Sequence, residues 1–120
     1  MRFQVIAALQ SLSDPKHQQA RWGRYVEGVN YYDDLTLNLH VLYDDCMVLP
    51  EPREAVPDVL RLEEVAAFED LERALGPVIR ELGERPDDAY VNDSRWPSVV
   101  DAAARALAVM EHLDREGETL

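Results

Sequence analysis

The chain has 120 residues, of which 47% are apolar and 30% charged, and its formal net charge is −12. This length and composition predict one globular domain with its own core and exclude an intrinsically disordered chain. Because a negative field of this size repels nucleic acid and anionic lipid, we expect neither to be a direct partner. Residues 1–40 are balanced in charge, so the net negative charge lies in residues 41–120.

The sequence also bears on where the protein works. The single cysteine, Cys46, cannot form an internal disulfide, which favours a reducing compartment. The apolar run at Val5–Leu9 is followed by Gln10 and Ser11, so it is too short and too polar for the core of a signal peptide. No run approaches the roughly 18 apolar residues of a membrane span. We therefore expect a cytoplasmic protein.

The beginning of the chain predicts two helices joined by a capped turn. Arg2–Leu12 carries apolar residues at helical spacing. Ser13 or Asp14 is suited to cap the next helix, and Pro15 is suited to open it. This second helix is expected to end at Gly28, before a connector at residues 30–32. Its apolar face is predicted to consist of Trp22, Tyr25, Val26 and Val29.

The stretch from Asp33 to Pro52 has the most regular apolar pattern, and we expect the rest of the chain to pack around it. Leucines and a valine alternate with polar residues over Leu35–Val41, which fits a half-buried strand. A helical face through Leu35, Leu39, Leu42 and Cys46 fits equally. The helix is favoured because leucine dominates and because Asp33 or Asp34 offers an N-terminal cap. Asp44 and Asp45 would then lie at the helix C-terminus, which the macrodipole disfavours.

The prolines after this stretch predict a loop, and a long helix follows it. Pro50, Pro52 and Pro57 forbid a continuing helix, so Met47–Pro57 is predicted to be a loop with residues 47–49 tucked beneath it. Residues 59–62 fit a short strand or the lead-in to the next helix. From Glu63 to Leu82 the apolar residues keep helical register across Gly76-Pro77, which predicts one kinked helix.

A polar loop over Gly83–Arg95 is expected next, anchored to the core by Tyr90, Val91 and Trp96. The last helix is predicted to run from Arg95 to Leu113, with a frayed polar tail over residues 114–120. The whole pattern predicts an all-α fold, an irregular bundle of four to five helices in a single domain spanning residues 1–120.

No catalytic signature accompanies this fold. The five glycines are isolated, which rules out a phosphate-binding glycine loop, and one cysteine with three scattered histidines cannot build structural zinc. Cys46 and His40 are six positions apart and point to different faces of a helix, so we interpret Cys46 as a small buried side chain. His40 and Asp44 share a helix face and form the best pair of metal ligands. We predict no catalytic residue, no metal and no cofactor.

The acidic pairs Asp33-Asp34, Asp44-Asp45 and Asp87-Asp88 are the remaining feature. If they converge, they form a docking surface for lysine and arginine side chains, with a tyrosine as anchor. The alternative is that they lie in unrelated solvated loops. The predicted partner-binding residues are Asp33, Asp34, Tyr43, Asp44, Asp45 and Glu51.

Four short motifs carry a resemblance: Trp22 with Tyr25, Asp34-Leu35, Leu42-Tyr43-Asp44-Asp45 and Asp93-x-Arg95-Trp96. With them the chain resembles short acidic helical proteins of actinobacteria that have no assigned activity. The first three also resemble, more distantly, the helical immunity proteins of contact-dependent growth inhibition systems. This second resemblance implies a cytoplasmic protein that binds and blocks a toxin domain, often a basic nuclease.

The sequence thus leads to a first hypothesis and two alternatives. The first is a non-enzymatic, acidic binding domain for a basic protein, of the immunity type. One alternative is a small metal-dependent enzyme that uses His40 and nearby carboxylates. The other is a homo-oligomeric scaffold, for which a homodimer would be the evidence.

Overall fold

The computed structural model describes residues 1–24 and 32–118, with side chains to residue 116. These ranges are helical and contain no strand, which confirms the predicted all-α irregular bundle. The helices are α1 (Arg2–Leu12), α2 (Pro15–Arg21), α3 (Leu35–His40), α4 (Val65–Leu82), α5 (Asp87–Val91) and α6 (Trp96–Glu118). A wider π-helical turn, Val41–Asp45, extends α3, and single 3-10 turns lie at Pro52–Ala55 and Leu62–Glu64.

The core forms where α6 packs along both α4 and α1. Each helix contributes one apolar stripe at helical spacing, as the sequence predicts. The fully buried side chains include Val5, Leu9 and Leu12 of α1, Phe68, Leu71 and Leu75 of α4, and Val99, Ala103 and Met110 of α6. None of the helices in the described ranges has the length and apolar composition needed to cross a membrane.

A buried ion pair joins the two ends of the chain to the start of α4. The Glu64 carboxylate is fully buried, and its Oε1 accepts from Arg2 Nη1 at 2.7 Å and from the Arg61 backbone N–H at 2.8 Å. Arg2 Nε also donates to Asp114 at 3.0 Å. The predicted frayed tail is therefore wrong for residues 114–118, because α6 continues to Glu118 and Asp114 bonds to Arg2 of α1.

The central stretch is helical, which confirms the helix and excludes the strand. Asp34 is the N-cap of α3, and its Oδ1 accepts from the Leu37 N–H at 2.8 Å. The helix ends because the Leu42 carbonyl accepts from the backbone N–H groups of both residue 48 and residue 49, at 3.0 and 3.1 Å. Met47 takes a left-handed conformation with φ 52° at this end.

Two further segments differ from their predictions, and a third takes one of its two predicted forms. Met47 is exposed and only residues 48 and 49 tuck beneath the loop, because the left-handed backbone turns the Met47 side chain outward. Residues 59–62 form no strand and lead into α4 through the turn at Leu62–Glu64, which confirms the second of the two predicted alternatives. The predicted polar loop after Gly83 contains α5, and Tyr90 of that helix donates its hydroxyl to the Gly83 carbonyl. Helix α4 is continuous through Gly76-Pro77, as predicted.

Helix α2 is shorter than predicted. Asp14 caps it as expected by accepting from the His17 N–H at 3.1 Å, but the helix ends at Arg21. Trp22 leaves the helical conformation, with ψ 122°, and its ring becomes buried. Gly23 follows with φ 69°, a conformation that favours glycine. The predicted positions Tyr25, Val26, Gly28, Val29 and residues 30–31 lie outside the described residues.

Candidate functional site

A partly buried polar network lies between the ends of α1 and α2 and the start of α3. Its centre is the carboxylate of Asp33, whose Oδ2 accepts from Ser11 Oγ at 2.6 Å and from Trp22 Nε1 at 3.2 Å. His17 Nε2 lies 2.7 Å from the same oxygen. The other oxygen, Oδ1, accepts from Asn38 Nδ2 at 3.1 Å. Because a carboxylate accepts several hydrogen bonds and donates none, one side chain joins these segments.

Serine, histidine and aspartate meet in this network, but their arrangement is not that of a nucleophilic triad. A triad needs the serine hydroxyl to donate to the histidine. Here Ser11 Oγ donates to Asp33 and accepts from Trp22 Nε1 at 2.8 Å and from Asn38 Nδ2 at 3.2 Å. The serine proton is therefore directed away from His17, and the network serves to fix the helices in place.

The network forms the floor of an open groove between α1 and α3, with a volume of about 540 Å³. Large apolar side chains stand exposed at its edge: Phe3 is 80% exposed, Leu37 45% and Tyr32 44%. No lysine or arginine lines this groove in the described part of the chain, whereas Asp14 and Asp33 do. The remaining lining residues are Gln4, Ala7, Ala8, Gln10, Ser11, His17, Asn38 and Val41.

A second cleft, of about 370 Å³, lies on the other side of α3 against the end of α4. Leu39 and Ile79 provide apolar surface, while the carboxylates of Asp44 and Glu84 line it with Tyr43 and His40. His40 Nδ1 and Asp44 Oδ2 are 2.5 Å apart, so these two side chains contact each other within the cleft. We call this the Asp44 cleft and the first one the α1–α3 groove.

Tyr43 is held within the chain at the base of the Asp44 cleft. Its hydroxyl donates to Glu72 Oε2 at 2.6 Å. Burial, together with this hydrogen bond, raises the pKa of Tyr43 far above its usual range. Gly76 leaves the space in which the Glu72 side chain lies, since a Cβ there would come within 2.7 Å of Glu72 Oε1.

Of the predicted partner-binding residues, Tyr43 and Asp44 line the Asp44 cleft, whereas Asp45 and Glu51 do not. Asp44, Asp45 and Glu51 are exposed, and Tyr43 is half-buried. Asp33 and Asp34 have structural roles, as the network centre and as the α3 cap.

The acidic pair Asp87-Asp88 lies beside Asp34, where the three residues line a shared cleft. The Leu35 N–H donates to Asp87 Oδ2 at 3.2 Å, and burial raises the pKa of Asp87. Two of the three pairs therefore meet at the start of α3, and the third lies at the end of the same helical segment.

Sequence reasoning missed the network and the groove. It found no supporting context for His17, whose partner Asp33 is sixteen positions away. The sequence offers one indication of the network, Asn38, which is a polar residue between two leucines on a helix that is expected to pack against the core. For Cys46 the interpretation as a small buried side chain is confirmed. The thiol lies 3.6 Å from the Met1 carbonyl, and burial raises its pKa.

Among the described residues, no group of three or more histidine, cysteine, aspartate or glutamate side chains is placed to hold a metal ion. The fold and this surface thus define an acidic all-α domain with two open clefts on either side of α3.

Residues 1–118 match the family described as Domain of unknown function (DUF7945), and the chain belongs to that family. No curated protein and no solved structure matches it.

Proposed function

We propose that the protein is a non-enzymatic binding domain whose acidic surface, at the end of α3, binds a basic partner protein. The observation that carries this proposal is the Asp44 cleft, which combines apolar surface with carboxylates and is lined by no lysine or arginine from residues 1–24 or 32–118. In the described part of the chain, no arginine or lysine forms an ion pair with Asp44, Asp45 or Glu51. Carboxylates that no arginine or lysine neutralises attract an oppositely charged partner. Asp44 has His40 as a neighbour, whose Nδ1 lies 2.5 Å from its Oδ2.

The narrower form of the proposal is an immunity-type role in the cytoplasm, in which the partner is a basic toxin domain such as a nuclease. It is supported by the resemblance of the sequence and by the sign of the charge, −12 for the chain. A nuclease binds a polyanion, so an acidic protein is suited to occupy the same basic surface.

The first test is capture of partners by the tagged protein from its native cell, washed at low and then at moderate salt. We expect a basic protein that is retained at low salt and released as salt rises, because screening weakens contacts between exposed charges. The captured protein is then purified, and its affinity is measured with two charge-reversed variants of this chain.

The test variant is Asp44→Lys with Asp45→Lys, and the matched control is Asp101→Lys with Glu111→Lys on α6. Both variants change the net charge equally, but the control residues line neither cleft. We expect about a tenfold or greater loss of affinity for the test variant only. Equal loss in both variants would mean that net charge matters and this surface does not. No basic partner at low salt would refute the proposal.

A further inference from the structure

The α1–α3 groove has two large exposed apolar side chains, Phe3 and Leu37, at its edge. Phe3 projects from α1 and Leu37 from α3 on opposite sides of the groove, and Tyr32 borders it. The other large exposed apolar side chains of the described residues, Met1, Met47 and Leu62, do not line it. An apolar patch rimmed by polar residues is typical of a surface that binds another molecule.

The floor of the groove is preorganised. Ser11, Asp33 and Asn38 bond to one another, and Asn38 Nδ2 also donates to the Asp34 carbonyl at 2.7 Å. Because these polar groups already have partners, an apolar side chain above them leaves no hydrogen bond unmade. A floor fixed before binding also lowers the entropy that an occupant must lose.

The charge of the groove indicates which kind of partner supplies the apolar side chain that occupies it. Asp14 and Asp33 line it, and lysine and arginine are absent from its described lining. A second copy of this chain would bring the same negative field to the contact, which disfavours self-association. A segment with lysine or arginine next to an apolar residue has the complementary charge.

We infer that the α1–α3 groove binds an apolar side chain, flanked by lysine or arginine, from the same basic partner that contacts the Asp44 cleft. This inference rests on the proposed function. Neighbouring positions of one helical segment face the two sides: Leu37 and Val41 line the groove, whereas His40 and Asp44 line the cleft. A partner lying across α3 therefore reaches both, with an apolar anchor on one side and charge pairs on the other.

The test is selection of random dodecapeptides displayed on phage against the purified full chain. We expect the selected peptides to carry a large apolar residue close to lysine or arginine. A Phe3→Ser, Leu37→Ser variant should bind these peptides about tenfold or more weakly, whereas Leu62→Ser, at a 65% exposed apolar side chain outside the groove, should bind them unchanged. Since all three side chains are exposed, the variants are expected to fold, and circular dichroism checks this.

Binding is located by the indole N–H signals in the NMR spectrum, since the chain has two tryptophans. Trp22 Nε1 donates into the groove floor, and Trp96 Nε1 donates to Gln18, so a peptide in the groove should shift the Trp22 signal more. Basic peptides that bind the Phe3→Ser, Leu37→Ser variant as tightly as the parent would overturn this inference and leave the proposed function standing.

Two further outcomes would point to a different occupant of the groove, either a segment without basic residues or a second copy of the chain. Selected peptides without basic residues would overturn both the proposed function and this inference. A dimer of the parent chain that the Phe3→Ser, Leu37→Ser variant abolishes, measured by sedimentation, would overturn the inference in favour of a second copy as the occupant.

Discussion

Replacing Asp33 by asparagine tests whether this residue is part of the scaffold or of the binding surface. The asparagine keeps the shape but has one acceptor oxygen in place of two. If that oxygen takes the place of Oδ2, it still accepts from Ser11 and Trp22, but without the negative charge. The new amide N–H₂ then faces the Asn38 amide, which is itself a donor and stood 3.1 Å from Oδ1.

The size of the effect follows from these contacts. Hydrogen bonds to a charged group contribute about 1.5–3 kcal/mol and neutral ones about 0.5–1.5 kcal/mol, so each bond to Oδ2 weakens by roughly 1 kcal/mol. Asn38 retains bonds to Ser11 and to the Asp34 carbonyl, so the donor–donor contact is partly relieved. Since bonds in one network are not additive, we expect a loss of about 2–4 kcal/mol in the free energy of unfolding.

The assay is urea unfolding, followed by tryptophan fluorescence and by far-UV circular dichroism. The matched control is Asp34→Asn, the same chemical change at the next residue, where asparagine caps α3 as well as aspartate does. We expect the control to stay within about 0.5 kcal/mol of the parent and the Asp33→Asn midpoint to fall by roughly 1 M urea or more. Equal midpoints for the two variants would refute the structural role of Asp33.

Two further predictions concern ion pairs. Glu64→Gln should lower the free energy of unfolding, measured by thermal unfolding, by about 2–3 kcal/mol, because it breaks a buried ion pair with Arg2. The remaining contact between Arg2 and Asp114 limits the loss. A change below about 0.5 kcal/mol would contradict this role of Glu64. Hydrogen bonds from Arg95 hold the pKa of Asp93 at about 2, below its unfolded value of about 4. Protonation of Asp93 therefore favours the unfolded chain, so this stabilisation is lost as pH falls from about 4 towards 2. Asp93→Asn should make the free energy of unfolding depend less on pH in that window. An unchanged dependence on pH would argue against this role of Asp93.

Local sequence patterns were sufficient for most of the helices. Arg2–Leu12 has the predicted bounds because its apolar spacing and the capped turn that follows are both local. The end of α2 was missed because burial of the Trp22 ring, a tertiary effect, stops the helix before Gly28. Helix α5 was missed because its turn-forming residues also suit a loop, and its contact from Tyr90 to Gly83 is not visible as a pattern.

The sequence predicted the exposed carboxylates of the candidate site but not the hydrogen bonds that join residues far apart in the chain. Asp33-Asp34 and Asp44-Asp45 read alike in the sequence, since each is a pair of aspartates at one end of a helical segment. The structure separates them: Asp33 is held by donors from α1, α2 and α3, whereas Asp44 and Asp45 have no described arginine or lysine partner.

This separation has a functional consequence. A carboxylate that accepts several internal hydrogen bonds, as Asp33 does, is held in place by the scaffold, so the proposed binding surface depends on the other pair. The groove edge is a different case, because Phe3 and Leu37 are large apolar side chains that lie outside the predicted helical faces and that the fold leaves exposed. Large apolar side chains left exposed beside a groove are therefore the ones to substitute first in the search for the partner.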